Sequence, residues 1–194
     1  AVRSDRPTTL AFVKLVDGQA RYAFYDENTA GRMLNLSDLP AFPSHIAAMF
    51  FGGISLVADP CGAAYAGLMG AEAAGRVTMI DPNIRPGFIT DEAAYRARIT
   101  GMIGAADIVK LSDEDLHWLE GAGEISGLAK EILTRGPKLV LITEGSKGAT
   151  AYTARGTISV AATPVMVADT VGAGDTFNAG VLAALSQAGA LSKI

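Results

Sequence analysis

The residue types most suited to chemistry are concentrated between Val165 and Gly180, in the order Val-Met-Val-Ala-Asp-Thr-Val-Gly-Ala-Gly-Asp-Thr-Phe-Asn-Ala-Gly. An apolar run leads into a turn of glycine and alanine and then directly into a helical pattern. Gly172 and Gly174 let successive backbone N–H groups point one way, and the start of the following helix adds partial positive charge, so the turn is a cradle for an anion. Asp175 stands at its rim. A carboxylate there can orient and deprotonate an attacking hydroxyl while the amides stabilise charge on a phosphoryl group in transit. The same aspartate also reads as an ordinary complement to the helix start.

Three further stretches could serve such a site. Thr143-Glu-Gly145-Ser146-Lys147-Gly148 ends an apolar run, where a threonine hydroxyl and glycine amides are short donors able to approach a phosphate; it reads equally as a plain hairpin turn. Asp81-Pro82-Asn83 is a strong turn former, and Arg85 behind it brings a guanidinium suited to phosphate or sugar oxygens at the carboxyl end of a strand. Ser112-Asp113-Glu114-Asp115 has the spacing of a helix capping box. Other phosphate motifs fit less well. A dinucleotide fingerprint would need glycine where Phe177 stands, and Gly145 to Gly148 lacks the Gly-Lys-Ser/Thr ending of a P-loop.

The elements that must position these residues follow from the apolar pattern. From residue 45 onward, short apolar runs at 46–51, 77–80, 107–110 and 139–143 alternate with helix-length segments. This predicts an α/β fold with a mostly parallel sheet flanked by helices. Asp59 reads as an N-cap with Pro60 at the first helical position, opening a helix to about Ala74 with Gly75 as its stop. Thr90-Asp91-Glu92 opens a second helix ending near Gly104. Segments 149–153 and 157–161, joined through Arg155-Gly156, predict a hairpin added at the sheet edge. The last helix is expected from Asp175 to Ala188, with Phe177, Val181, Ala184, Leu185 and Ala188 at helical spacing and Gly189 closing it. Residues 8–25 differ: two β-rich runs around Asp17-Gly18 predict a hairpin too small to be stable alone.

Composition narrows the function classes. The chain has 194 residues, 49% hydrophobic and 19% charged, and a mean hydropathy of +0.29, which excludes a disordered chain and implies one packed α/β domain or part of one. With 16 basic and 20 acidic residues and a net charge of −4, no basic excess exists for a nucleic-acid partner. No apolar run approaches the roughly 18 to 20 residues that span a bilayer, so no membrane partner is expected. Cys61 is the single cysteine; an internal disulfide is impossible, and a reducing cytoplasm is the expected location. His45 and His117 stand apart from any metal-ligand spacing, and these, with Cys61, read as packing or surface. Trp118 is expected in the core.

The sequence Asp169-Thr-Val-Gly-Ala-Gly-Asp-Thr-Phe-Asn-Ala-Gly180 closely resembles the C-terminal signature of the ribokinase-like (PfkB-type) carbohydrate kinases. Asp81-Pro82-Asn83-Ile84-Arg85 resembles that family's Asp-x-Asn-x-Arg element, 141–149 its nucleotide-phosphate loop, and the paired runs at 8–25 part of its sugar lid. The resemblance implies an ATP-dependent sugar kinase with Asp175 as catalytic base and the amides of Gly172, Ala173 and Gly174 as anion hole. It further implies ATP contacts from Thr143, Gly145, Ser146, Gly148 and Ser112, and substrate or phosphate contacts from Asn83 and Arg85. Asp169 and Thr170 lie where many members bind a monovalent cation such as K+. Where the family usually carries Asn-x-x-Glu to organise Mg2+, this chain has Ser112-x-x-Asp115, so Asp115 is the expected magnesium residue, directly or through water. The wording of the middle region is most similar to the fructokinase branch, with 2-keto-3-deoxygluconate kinases close behind and a non-catalytic sugar- or nucleotide-binding relic as the alternative from another class. Residues 1–30 would then be a partial β lid and 31–194 the kinase core. A homodimer through the lid is expected, and an N-terminal β-α-β region and some C-terminal helices of the family have no counterpart in the chain.

Overall fold

The computed structural model describes residues 3–16 and 19–193. The turn expected at Asp17-Gly18 lies outside the described residues. Strands β1 (Leu10–Val16) and β2 (Gln19–Tyr25) pair antiparallel with Leu10 opposite Tyr25. The main sheet contains β3 (Ala48–Gly52), β4 (Val77–Asp81), β5 (Ile108–Ser112), β6 (Leu139–Thr143), β7 (Ala149–Thr153) and β8 (Gly156–Val160) side by side in that order. The first four run parallel, while β7 and β8 extend the sheet antiparallel, as the edge hairpin expectation required.

Residue alternation along the strands sends side chains to two faces. On one face, Ile80, Val109, Leu111, Val140 and Ile142 meet helices α1 (Cys61–Glu72), α2 (Glu92–Ala105), α3 (Asp113–Glu120) and α4 (Ile125–Leu133) through Met69, Ile99, Ile103, Leu116 and Ile132. On the other, Val77, Met79, Ile108 and Leu141 meet α5 (Ala173–Gln187) through Phe177, Val181, Leu182 and Leu185. Strand β4, paired on both sides by β3 and β5, is buried at every position, including Thr78 and Asp81, as a strand covered on both faces should be. No helix among the described residues is long and apolar enough to cross a membrane.

Several local expectations are corrected. The helix expected from Pro60 begins at Cys61, after a cis Asp59–Pro60 bond, and Pro60 is itself the cap. Asp59 acts from one residue further out: its carboxylate accepts from the Ala63 amide at 3.1 Å and pairs with Arg98. Helix α5 starts two residues before Asp175 because Gly172 supplies the left-handed cap. Helix α4 had no counterpart among the sequence expectations; its buried Leu128, Ala129 and Ile132 form one stripe, in a segment short enough to pass for a connection. The capping box at Ser112 is only half formed. Ser112 Oγ accepts from the Asp115 amide at 3.0 Å, but the Asp115 carboxylate turns away and accepts from the Ile84 amide at 3.0 Å. Trp118 is half-buried beside the core, with the Arg96 guanidinium 3.7 Å over its ring.

Candidate active site

Chain reversal at the carboxyl ends of β3 and β4 and the start of α5 brings the sequence motifs to one edge of the sheet. Gly172 adopts φ +79°, a left-handed conformation that a side chain would resist, and this bend aims the chain into α5. The Ala173 amide donates to Thr170 O at 3.2 Å, so it closes the turn rather than facing outward. Of the amides expected to form an anion hole, those of Gly172 and Gly174 have no acceptor among the described residues, nor has that of Asp175, as the first turn of a helix leaves them. Asp169 Oδ1 accepts from the Val171 amide at 2.9 Å and fixes the approach to the turn.

One side of this turn opens on a cavity of about 430 Å3 lined by Asn83, Arg85, Thr170, Val171, Gly172, Gly174 and Asp175, by Gly52 to Ser55, and by Phe24 of β2 with Phe88. Asp175 is exposed to it. Asn83 holds φ +45° and Arg85 bonds its neighbour Ile84 O at 2.9 Å, leaving the rest of its guanidinium on the cavity. Phe24 and Phe88 meet edge to face with centroids 4.8 Å apart, an aromatic wall suited to the apolar side of a small ring. The sequence reading missed Gly52 as a site residue. A Cβ there would sit 2.3 Å from Asp81 O, so only glycine lets β3 and β4 end this close together. The available signal was a glycine pair at a strand's carboxyl end.

The other side opens on a second cavity of about 390 Å3, lined by Thr143, Gly145, Gly148, Ala149, Val160 to Ala162, Ala173, Gly174 and Phe177. Gly174 borders both cavities. Of the expected nucleotide residues, Thr143, Gly145 and Gly148 line this space; Ser146 is exposed and Ser112 caps α3, and neither lines it.

Beneath the turn lies a buried polar group absent from the sequence expectations. Lys110 Nζ is 3.0 Å from Asp81 Oδ2, and the Asn178 amide donates to the same oxygen at 2.7 Å. Asp115 lies in the interior nearby, 5% exposed, with burial and then the charge of Asp81 raising its pKa. Its inward carboxylate does not line either cavity, and no cluster of three or more metal-ligating side chains exists among the described residues. The described side chains thus offer magnesium no direct multidentate seat. Asp169 and Thr170, by contrast, carry hard oxygen donors, and Thr170 lines the first cavity. His45 is exposed, His117 Nε2 is 3.2 Å from Gly123 O, and burial pushes the Cys61 thiol up, so none of these joins the site.

The pattern of known pfkB family carbohydrate kinases matches residues 2–194. A fructokinase from Rhizobium leguminosarum bv. trifolii is 53% identical over 188 residues, covering 97% of this chain and 58% of that protein. The solved structure of a Xylella fastidiosa fructokinase with bound ATP superposes with a TM-score of 0.82 at 26% identity, over 95% of this chain and 58% of the other. A fructokinase double mutant from Vibrio cholerae O395 bound to fructose, ADP and potassium ion gives 0.78 at 29% identity, over 88% and 57%. The chain therefore spans somewhat more than half the length of the relatives it matches.

Proposed function

The chain belongs to the pfkB family of carbohydrate kinases, and from that premise we propose that this protein transfers the γ-phosphoryl group of ATP to a hydroxyl of a small sugar, with fructose as acceptor. The observation that carries the reading is the shared wall: the turn at Gly174 separates a polar cavity holding Asp175 from a glycine-rich cavity holding Thr143, Gly145 and Gly148. A sugar in the first and the phosphate end of a nucleotide in the second would meet at the free amides of the turn. Asp175 takes the proton from the attacking hydroxyl as its oxygen bonds to the γ-phosphorus and the bond from that phosphorus to the bridging oxygen breaks, releasing ADP; the Gly172, Gly174 and Asp175 amides hold the charge spread over the transferred group. Asn83 and Arg85 orient the acceptor. The choice of fructose rests on the named relatives.

Magnesium would arrive with the nucleotide and neutralise phosphate charge, with Asp115 acting at most through water; Asp169 and Thr170 would hold a potassium ion. The exposed Phe12, 58% accessible, and Tyr25, 64% accessible, pack edge to face at 5.5 Å on the lid and support a homodimer through this surface. The single cysteine suits a cytoplasmic location.

The test is ADP release from ATP with a sugar panel, using the full-length protein and its Asp175→Asn variant. Loss of the base should lower kcat by roughly 10²- to 10⁴-fold with sugar binding retained. Equal turnover by both proteins removes the proposed base, and sugar binding without turnover in the unaltered protein favours a binding relic.

A further inference from the structure

Strand alternation places Asp81 of β4 and Lys110 of β5 on the sheet face that α5 covers, and both side chains are almost fully buried, at 4% and 7% exposure. Asn178, 3% exposed, lies three residues beyond Asp175 on α5, within the same pair of helical turns. Its amide and the Lys110 ammonium converge on one oxygen, Asp81 Oδ2, at 2.7 and 3.0 Å. The other oxygen, Oδ1, accepts from the Asn83 amide at 3.2 Å. One carboxylate thus joins the loop carrying Asn83 to the helix carrying Asp175. Lys110 is directly beneath the turn as well: a Cβ added at Gly174 would be 3.5 Å from its Nζ. The other end of the Asn178 amide, Oδ1, is buried without a partner among the described residues, an arrangement that stability alone does not favour.

We propose that Lys110, Asp81 and Asn178 form a positioning unit that holds the Gly172–Asp175 turn in register with the Asn83–Arg85 loop, and that it governs turnover rather than ligand binding. The proposal rests on the kinase reading above. None of the three side chains needs to touch the reacting atoms. Asn178 sets the rotation of the first turn of α5, and so the aim of Asp175; Asp81 sets the distance between that turn and the acceptor loop; Lys110 anchors the Asp81 carboxylate from β5, at 3.0 Å. Misplacement of reacting groups by about 1 Å can reduce rate on the order of 100-fold, whereas the cavity walls that bind sugar and nucleotide are other residues.

The test compares steady-state kinetics and thermal unfolding of the full-length protein with Asn178→Ala, with Asp81→Asn, and with the reciprocal exchange Asp81→Asn/Asn178→Asp. Asn178→Ala should lower kcat by roughly 10- to 100-fold, with KM for sugar and for ATP within about threefold. The exchange keeps one carboxylate for Lys110 and one amide-to-carboxylate bond between β4 and α5, and should recover kcat at least tenfold over Asp81→Asn alone. That recovery is also decisive if Asn178→Ala folds poorly. A kcat for Asn178→Ala within twofold of the unaltered protein, or an exchange variant that melts normally yet recovers nothing, overturns the proposal. Asp175→Asn run in parallel separates the two readings: if it turns over like the unaltered protein, the assignment of Asp175 as the base fails; if it is inactive while Asn178→Ala turns over normally, only the positioning unit fails.

Discussion

At the scale of single residues, backbone conformation and burial do different work around the turn. Gly172 has φ +79° and open space where a Cβ would go, so the obstacle to a side chain is torsional and not steric. Gly172→Ala should therefore cost about 1–2 kcal/mol in urea unfolding, and should also lower kcat because relaxing the strain re-aims the free amides. A stability loss with unchanged kcat would mean that the amides do not act on the transferred group. Asp115 makes a contrasting prediction. Its pKa in the folded chain is raised above the ordinary 3.8, chiefly by burial and then by Asp81, so the native state binds the proton more tightly than the unfolded state. Stability from this group is full below 3.8 and falls as pH rises through the raised value. Asp115→Asn keeps an acceptor for the Ile84 amide and removes the buried charge, so it should flatten that falling limb in unfolding curves taken across mildly acid pH. An unchanged limb would place its origin elsewhere.

The elements divide into those that carry their own stabilising contacts and those that depend on neighbours. The hairpin β1–β2 shows Leu10, Phe12, Val13 and Tyr25 at or above 49% exposure, an apolar surface that a two-stranded ribbon cannot bury by itself. Its Phe24 packs on Phe88 in one wall of the first cavity, which ties the hairpin to the site. If lids pair between subunits, Phe12→Lys should convert the full-length protein from dimer to monomer in light scattering; a monomeric unaltered protein would dismiss lid pairing. Strand β3 has no partner on its outer side among the described residues, and Phe50 there is 44% exposed. This open edge should let the protein self-associate. Phe50→Lys should reduce its light scattering without altering its circular dichroism.

Across the whole molecule, most of the core lies on one face of the sheet, under α1 to α4, while the site gathers where α5 begins on the other. Ile132 of α4 is fully buried and lines neither cavity. Ile132→Ala should thus cost about 2–5 kcal/mol of stability while kcat, measured well below the melting temperature, stays within twofold. A large kcat loss there would show that the two faces are mechanically coupled. Much of the architecture was legible beforehand because its signals are local. Apolar runs of strand length between helical segments fix a βα alternation, and a glycine turn entering a helix fixes a helix start with Asp175 in its first turn. The limits of these elements were less legible: α4 is short, and the cap of α5 depends on the left-handed Gly172, not on the aspartate. Only the tertiary structure decided that Gly174 is a wall between two cavities, that the Ala173 amide is consumed by the turn, and that Asp115 points inward to Ile84. It also decided that Asn178 meets Asp81, 97 residues away in sequence. Periodicity in a sequence specifies which face of its own element a residue occupies, but strand order and the packing of α5 bring distant residues to one carboxylate, and neither is encoded in any local window.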